Sequence, residues 1–557
     1  MNNISRRSML AVGAAALGAA GLGLAGCSSD SGSDDKGTDL SKNRADAMDK
    51  FGVGTQFKAT KPIAFTTLLN DNPGYPEKGS WLFWSELAKR TNVTLKPTVV
   101  PLSDYEKKRS VIIGSGSAPL LIPKTYPGQE APFVASGVVL PVSDYVDLMP
   151  NFKDKVAKWN LQGDVDALRQ DDGKFYVLPG LHQDVWLDYS LAIRTDILDQ
   201  LGLQIPKTWD DLHNVLKAMK AAYPKSYPMS DRWSVPTPGG PFLQILGQAF
   251  SAGNGGGWGY ANASFDPSAG KFICTGAMPQ YKQMLEFAHS LVKEGLLDPE
   301  SFTQTDDQAN AKFTSGKSFV ISTNAQELVN TYRPGLAKAV PNAKVVKIPV
   351  PTGPAGDVKQ GLRTENGLMI MKKARDSADF VAMMQFIDWL FYSDDGQIFA
   401  KWGVEGVTYT RDSAGNFHLT NDVDYVGLNP TATKKLNADF GFSNGNFAYG
   451  GSTQLLESTF SAEEKDFQKV MTARKTLAVP PPYPFNADEQ EQSALWDAPL
   501  KDYVTQQTLK FILGDRDLGE WDKYLSELKG KNMDQYIDLV NKAYQRFKDN
   551  QGKSSKS

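Results

Sequence analysis

The sequence predicts a mixed α/β fold of two lobes, each a mostly parallel sheet flanked by helices, with a helical C-terminal portion. Strand-like and helical stretches alternate from residue 63 onwards, as they do in doubly wound parallel sheets. Roughly 490 residues follow the polar N-terminal region, which is more than one hydrophobic core usually holds. After residue 486, apolar residues recur at helical spacing almost without interruption.

Residues 1–26 have the pattern of a signal peptide. Arg6 and Arg7 precede an apolar run at residues 9–24, which is shorter than the roughly 20 apolar residues that a membrane-spanning helix needs. The run ends in LAGC at residues 24–27, which resembles a bacterial lipobox. That resemblance implies a diacylated Cys27 as the first mature residue, and two acyl chains make a stable anchor at the outer face of the cell membrane.

The export route and the segment after the anchor follow from the same region. Residues 5–10 resemble a twin-arginine signal, and an ordinary Sec signal is the alternative that stays open. Residues 27–59 are rich in Ser, Gly, Asp and Lys, so they are expected to form a flexible tether.

The first lobe is expected to begin with alternating strands and helices. A buried strand is predicted from the apolar run at 63–69, and the later elements from their apolar spacing. The predicted order is strand 63–69, helix 81–90, strand 93–100, helix 104–114, strand 120–122 and helix 127–136.

Later elements have clear local signals. Thr208 is a good N-cap for a helix at 209–222, because Asp210 and Asp211 lie in its first turn. A short strand is predicted at 319–321. The C-terminal pattern predicts helices at 496–513, 521–528 and 533–547.

Composition excludes several classes of protein. The net charge is −3 and no basic stripe occurs, so we expect no nucleic-acid binding. With Cys27 acylated, Cys274 is the only thiol, and it cannot form an intramolecular disulfide. The four histidines occur in no zinc-protease motif, and no hydrolase elbow or calcium-loop spacing is present. We therefore expect no cofactor, no metal and no catalysis, although a glycosidase carboxylate pair could come from distant segments.

Several motifs resemble those of family 1 extracellular solute-binding proteins, and the resemblance covers nearly all of the mature chain. They are DGKFYVLPG at 172–180, GLQIPKTWDDL at 202–212, FTSGK at 313–317, YSDDGQ at 392–397 and GVEGVTY at 403–409. The last two are similar to a subgroup of large members that includes alginate-oligosaccharide binders and LplA-like lipoproteins. Those alginate binders carry a calcium loop whose carboxylate spacing is absent here, so calcium is not carried over.

The resemblance implies a type II periplasmic-binding-protein-like fold in which two lobes close on a ligand. The chain is expected to cross between lobes near 180–188, near 348–367 and after about residue 409. The implied division is residues 60–182 plus 350–408 for the first lobe, 183–349 plus 409–550 for the second, and a tail at 551–557. The implied function is capture of an oligosaccharide by a monomer, which delivers it to the permease of an ABC transporter.

Sugars present apolar faces and a rim of hydroxyls, so their sites combine aromatic rings with carboxylate, amide and basic side chains. We selected such residues in loops after strands and at the expected crossings. The candidate ligand-binding residues are Asn70, Asp71, Tyr75, Lys124, Tyr126, His182, Asp184, Trp186, Trp233, Trp258, Asn324, Gln326, Glu365, Asn366, Trp402 and Trp496.

Other functions stay open at this point. A secreted glycosidase or lyase, a surface adhesion or scaffold protein, and a binder of a peptide or another non-sugar solute are the alternatives. Turnover of an oligosaccharide would favour the enzyme.

Overall fold

The computed structural model describes residues 39–232 and 239–554. The chain divides into two units, residues 1–41 and 42–557, and the architecture below is that of the second unit. The expected signal peptide, Cys27 and Trp233 lie outside the described residues. Within the described ranges, no helix combines the length and the apolar character that a membrane crossing requires.

The strands are short and are spread along the chain. They are β1 (Ile63–Asp71), β2 (Val93–Pro101), β3 (Leu121–Thr125), β4 (Val177–Leu181), β5 (Ser190–Arg194), β6 (Ala263–Asp266), β7 (Lys271–Cys274), β8 (Val320–Thr323), β9 (Val345–Ile348), β10 (Val358–Lys359), β11 (Thr364–Ile370), β12 (Tyr409–Arg411), β13 (Phe417–Leu419), β14 (Val423–Asp424), β15 (Lys434–Lys435) and β16 (Lys475–Thr476).

Helices fill the connections and the C-terminal portion. They are α1 (Leu82–Thr91), α2 (Tyr105–Gly114), α3 (Ala131–Val134), α4 (Pro150–Lys158), α5 (Gln162–Asp166), α6 (Thr195–Leu201), α7 (Trp209–Ala222), α8 (Gly240–Ala249), α9 (Pro279–Lys293), α10 (Asp306–Thr314), α11 (Ala325–Glu327), α12 (Arg333–Ala339), α13 (Phe380–Tyr392), α14 (Asp394–Trp402), α15 (Leu436–Phe440), α16 (Thr453–Ser458), α17 (Ala462–Thr472), α18 (Ala487–Leu513), α19 (Trp521–Lys529) and α20 (Met533–Ser554).

The first lobe is built on a sheet with the strand order β2-β1-β3-β11-β4. Strands β2 and β3 pair parallel to β1, whereas β11 pairs antiparallel to both β3 and β4. Helix α13 packs in this lobe and is buried along its whole length, which fits its almost entirely apolar sequence.

The second lobe is built on a sheet with the order β8-β5-β9, in which β5 pairs antiparallel to both neighbours. Its core brings the sheet together with α7, α8 and α9 and the C-terminal helices α18, α19 and α20. The α/β fold expected from the sequence is confirmed, but this sheet is not the mostly parallel one expected.

The antiparallel strands have a simple physical origin. Strand β5 follows the crossing from the first lobe, and β11 follows the crossing back from the second. A strand that arrives from the other lobe enters its sheet at the interlobe edge and runs away from it. Strands connected by helices within one lobe, such as β1 and β3, run towards that edge and pair parallel.

Local sequence signals placed several elements correctly. Thr208 accepts from the backbone N–H of Asp211 and forms a capping box with it, and α7 has the predicted bounds. Helix α18 begins at Ala487, nine residues before the predicted start, because Asn486 and Glu489 form a second capping box.

The expected tether is shorter than the sequence indicated. Asn43 Nδ2 donates to the carbonyl oxygens of Arg375 and Ser377 at 2.9 and 2.8 Å, and Phe57 is fully buried against Phe386 of α13. Scattered apolar residues in an otherwise polar segment anchor it to the first lobe from about residue 43.

The third crossing also lies later than expected. Residues 409–550 were assigned to the second lobe, but Trp81 Nε1 donates to Ala438 O at 3.0 Å and Phe83 stacks on Phe447 with ring centroids 4.8 Å apart. Residues 436–458 therefore belong with the first lobe. The chain has reached the core of the second lobe by Phe467.

Candidate ligand-binding cleft

The interlobe edges of the two sheets define the candidate cleft. In the first lobe, the end of β4 lies beside the start of β11, with Leu181 opposite Thr364. In the second lobe, the start of β5 lies beside the end of β8, with Ser190 opposite Thr323. The loops at these edges are joined by the crossing at residues 182–189, so polar residues of both lobes face a common region.

A segment at residues 441–451, here called the glycine-rich strap, runs along the interlobe edge of the first sheet. Asn446 Oδ1 accepts from Asn70 N at 2.9 Å, and Asn446 Nδ2 donates to Asn70 O at 3.0 Å. Further along, Gly451 forms a bridge with His182. Gly450 has a φ of 53°, and an added Cβ would lie 2.3 Å from Leu181 O, so the close approach requires glycine.

The strap changes the role of two predicted residues. Asn70 is buried and its backbone is paired with the strap, and Asn366 Nδ2 donates to Gly445 O at 3.4 Å. Asn70 therefore supports the strap through its backbone and Asn366 through its side chain. The sequence analysis did not select the strap, although its run of glycine, asparagine and aromatic residues was a signal that could have indicated it.

Lys124 is held in an unusual backbone conformation at the end of β3, with a φ of 54°. Arg109 Nη1 donates to Lys124 O at 2.9 Å, and Lys124 N donates to the Tyr449 hydroxyl at 2.9 Å. Strained residues held by several contacts are common at functional sites. The ammonium group lies 5.9 Å from the centre of the Tyr126 ring, and Tyr126 is well exposed.

Asp71 is the last residue of β1, and Tyr75 lies in the turn that follows the strand. A Cβ at Gly445 would lie 2.8 Å from Lys124 Nζ and 2.9 Å from the Tyr75 hydroxyl, so these two polar groups meet over the strap. Asp71 accepts from Glu77 N at 2.7 Å, which shapes the turn that carries Tyr75.

The first crossing brings three predicted residues together. His182 Nε2 lies 3.3 Å from Glu365 Oε2 and 3.3 Å from Trp186 Nε1. Burial alone would raise the pKa of Glu365, but His182, Lys401 and the backbone N–H of Gly450 outweigh it and lower the pKa to about 2. Glu365 is therefore a fixed negative charge and a strong hydrogen-bond acceptor.

The same crossing carries two more acids. Asp184 Oδ2 accepts from Thr453 Oγ1 at 2.6 Å. Asp188 was not among the sequence candidates, and burial raises its pKa to about 6, while Lys347 works against this shift. A carboxyl group with a perturbed pKa in a cleft is a candidate binding residue.

The second lobe contributes amide and aromatic groups. Asn324 caps α11 by accepting from Glu327 N at 2.9 Å, and its Nδ2 donates to the Tyr189 hydroxyl at 3.1 Å. The Tyr189 ring packs edge-on against Trp258, with centroids 5.1 Å apart. This aromatic pair and Asn324 form one wall of the cleft.

The two lobes touch across the cleft. Gln326 Nε2 of the second lobe donates to the hydroxyl of Tyr425 at 3.2 Å. Tyr425 follows β14, in a region that packs on the first lobe through Leu428 and Trp402. Tyr425 was not among the sequence candidates, because no local pattern shows that its loop reaches the opposite lobe.

Two predicted tryptophans lie elsewhere. Trp402 is 2% exposed, stacks on Phe417 with centroids 4.9 Å apart, and donates to Ser458 Oγ at 3.0 Å. It is therefore part of the core of the first lobe. Trp496 lies on α18 and packs against the core of the second lobe. Among the residues that the structure describes, no three His, Cys, Asp or Glu side chains converge as metal ligands would.

Comparison with known proteins gives consistent results. A family model described as bacterial extracellular solute-binding protein matches residues 82–398, which is more than half of the chain. The fructooligosaccharide ABC transporter substrate-binding protein FusA of Streptococcus pneumoniae is 25% identical, over 92% of this chain and 95% of its own. The polygalacturonan/rhamnogalacturonan-binding protein YtcQ of Bacillus subtilis is 23% identical, over 83% and 88%.

Among solved structures, the alginate-binding protein AlgQ2 without calcium ion superposes with a TM-score of 0.69. The alignment covers 88% of this chain and 99% of that protein at 19% sequence identity. The similarity supports the two-lobe fold described above.

Proposed function

Since the chain belongs to the bacterial extracellular solute-binding proteins, we propose that it captures an oligosaccharide between its lobes and delivers it to the permease of an ABC transporter. The observation that carries this proposal is the meeting of both sheet edges at one cleft, where aromatic rings stand among carboxylate and amide groups. FusA and YtcQ, whose names state oligosaccharide or polysaccharide binding, support it over nearly the whole chain.

The chemistry of the cleft suits a sugar. Trp186, Tyr189 and Trp258 are partly exposed and offer apolar faces for the C–H faces of pyranose or furanose rings. Glu365 and Asp184 accept hydrogen bonds, and sugar hydroxyls donate them.

The proposed ligand contacts are the candidates that border the cleft. They are Asp71, Tyr75, Lys124, Tyr126, His182, Asp184, Trp186, Trp258, Asn324, Gln326 and Glu365, to which we add Asp188, Tyr189 and Tyr425.

Contacts from both lobes couple binding to closure. A ligand held by the first and the second lobe stabilises the closed state in proportion to its higher affinity for that state. The hydrogen bond between Gln326 and Tyr425 is made between the lobes and would be broken by opening. We propose that a monomer performs this cycle, since one chain supplies both walls.

A thermal-shift screen of the mature protein against oligosaccharides tests the proposal, with calorimetry to follow. A ligand at about 100 times its Kd stabilises the native state by about 2.7 kcal/mol, which is a readily measured shift. We expect at least one oligosaccharide to bind with one-to-one stoichiometry and to be recovered intact. No stabilisation by any sugar, together with stabilisation by peptides, would contradict the proposal.

Recovery of the sugar also separates binding from catalysis. A glycosidase or lyase would release products in amounts that grow with time and with protein concentration. We expect the sugar to be unchanged by chromatography after a long incubation with excess protein. Steady product formation would reassign the protein to the carbohydrate-active enzymes.

The family is extracellular, and we propose that this protein is held at the cell membrane through Cys27. The LAGC sequence at residues 24–27 and the polar residues after it support this anchor. Replacing Cys27 with Ala should abolish labelling by a radioactive fatty acid and release the protein from the membrane fraction. Cys274→Ala is the matched control, and labelling that survives Cys27→Ala would refute the anchor.

A further inference from the structure

The basic groups of the cleft are compensated by carboxylates of the protein itself. Lys124 lies close to the side chains of Tyr126 and Tyr75 and, more weakly, in the electrostatic field of Glu365, which also faces His182. In the second lobe, Arg232 Nη1 lies 3.2 Å from Glu327 Oε2. Lys124 and Arg232 therefore already have polar or anionic neighbours before a ligand arrives.

Two further buried lysines, Lys401 and Lys347, also have partners within the protein. Lys401 donates to Ala448 O at 3.0 Å and lies in the field of Glu365, and Lys347 is bound by both carboxylate oxygens of Glu464.

Several acids of the cleft, in contrast, are held by uncharged donors. Asp71 accepts from the backbone N–H of Glu77, and Asp184 accepts from the hydroxyl of Thr453. Lys359 lies in the field of Asp184, but its ammonium group donates to Thr472 O. Asp188 is bound by Asn324, and the cation in its field, Lys347, is engaged by Glu464. Residues 233–238 contain no Lys, Arg, Asp or Glu, so they add no charge to this balance. The described residues of the cleft therefore carry an excess of negative charge.

This charge balance discriminates between two classes of sugar. A uronate carries a carboxylate on each ring, and enclosing that charge requires a cation or several N–H donors to replace water. Here it would meet Glu365, Asp184 and Asp188. A neutral sugar offers hydroxyl donors that match these acceptors, and hydrogen bonds to an ionised acceptor are the strong ones.

From this balance we infer that the ligand is an uncharged oligosaccharide and that the cleft rejects polyuronates. The inference rests on the proposed function and narrows it. The relatives do not decide the matter, because their names include fructooligosaccharide, polygalacturonan and alginate binders.

Calorimetry with tetrasaccharides of equal length tests the inference. The neutral probes are nystose, xylotetraose, maltotetraose and mannotetraose, and the acidic probes are tetragalacturonate and tetraguluronate. We expect at least one neutral probe to bind with a Kd at least 100-fold lower than that of either acidic probe, at 20 and at 150 mM salt. An acidic probe that binds within tenfold of the best neutral one would overturn the inference but sustain the proposed function. No binding by any probe would count against both.

A variant that removes one charge tests whether the electrostatic field of the cleft, and not its shape alone, selects the ligand. Glu365→Gln keeps an oxygen for the Gly450 N–H and removes a carboxylate charge in whose field Lys124 and Lys401 lie. We expect the ratio of neutral to acidic affinity to fall at least tenfold. Glu520→Gln, which removes an exposed charge paired with Lys523 on the second lobe, should leave the ratio unchanged. An unchanged ratio in folded Glu365→Gln would show that this charge does not select the ligand.

Discussion

The ion pair between Lys347 and Glu464 holds the first crossing to the second lobe. Lys347 Nζ lies 2.9 and 3.0 Å from the two carboxylate oxygens, and the side chains are 1% and 6% exposed. Gln468 Nε2 donates to Glu464 and to Leu187 O at the crossing, and Leu187 N donates back to Gln468 Oε1. The pair therefore supports the backbone that carries the cleft residues.

The expected cost of breaking the pair follows from this geometry. At an effective dielectric constant of about 20, two unit charges about 3 Å apart attract by about 5 to 6 kcal/mol, and desolvation of both offsets most of this. Lys347→Met leaves the carboxylate of Glu464 buried without its cation, so we expect the free energy of unfolding to fall by about 3–5 kcal/mol. The double variant Lys347→Met/Glu464→Leu removes both charges and should recover most of that loss.

Guanidinium unfolding followed by circular dichroism measures these changes, and the double-mutant cycle gives the coupling energy. The exposed pair Lys434–Asp422 is the control, because its side chains are 53% and 56% exposed. Lys434→Met should cost less than about 1 kcal/mol. Binding of the sugar found by the screen should weaken in Lys347→Met as the crossing loosens.

Two results would refute this reasoning. If Lys347→Met lost less than about 1 kcal/mol, burial of the pair would have no energetic consequence. If the losses of the two single variants simply added in the double variant, the two side chains would not interact.

The remaining predictions separate binding from folding. Trp186→Ala should weaken sugar binding by about 1–3 kcal/mol, or roughly ten- to a hundredfold, and should leave the fold intact. Trp402→Ala should instead lower the free energy of unfolding by about 3–5 kcal/mol, because that indole is buried. If both variants had equal effects on calorimetric affinity and on thermal unfolding, the assignment of Trp186 to the binding site would be contradicted. Gly445→Ala should weaken sugar binding about tenfold at an unchanged Tm, because the added Cβ would displace only the ends of the Lys124 and Tyr75 side chains. Gly114→Ala is the control, since a Cβ there meets no atom within 4 Å. A lowered Tm without weaker binding would refute this prediction. Burial raises the pKa of Asp188 to about 6, whereas its unfolded pKa is about 3.9. The stability that the protonated carboxyl group contributes is therefore fully present below pH 3.9 and is lost as the pH rises through 6. Asp188→Asn should be more stable than the parent at about pH 7.5 and equal to it at about pH 4. Urea unfolding at both pH values checks this, and a stability difference that does not change with pH would contradict it.

The sequence by itself determined the fold class, the family motifs and many helix bounds. These features are local: the capping box of Thr208 and Asp211 lies within four residues, and the apolar period of α7 lies within the helix. His182 and Trp186 at the first crossing were found for a similar reason, because they closely follow the DGKFYVLPG motif at residues 172–180.

Only the tertiary structure shows which segments line the cleft and which side chains meet across it. Asn446 binds the backbone of Asn70 across 376 positions of sequence, and Tyr425 meets Gln326 from the opposite lobe across 99. Trp402 and Trp186 were both candidates from the sequence, yet the first is buried and the second borders the cleft. The spacing of apolar residues and the residue types at turns report only on residues that are close together in the sequence. The partner that buries an indole or pairs a strand end is fixed by long-range packing, which only the folded chain displays.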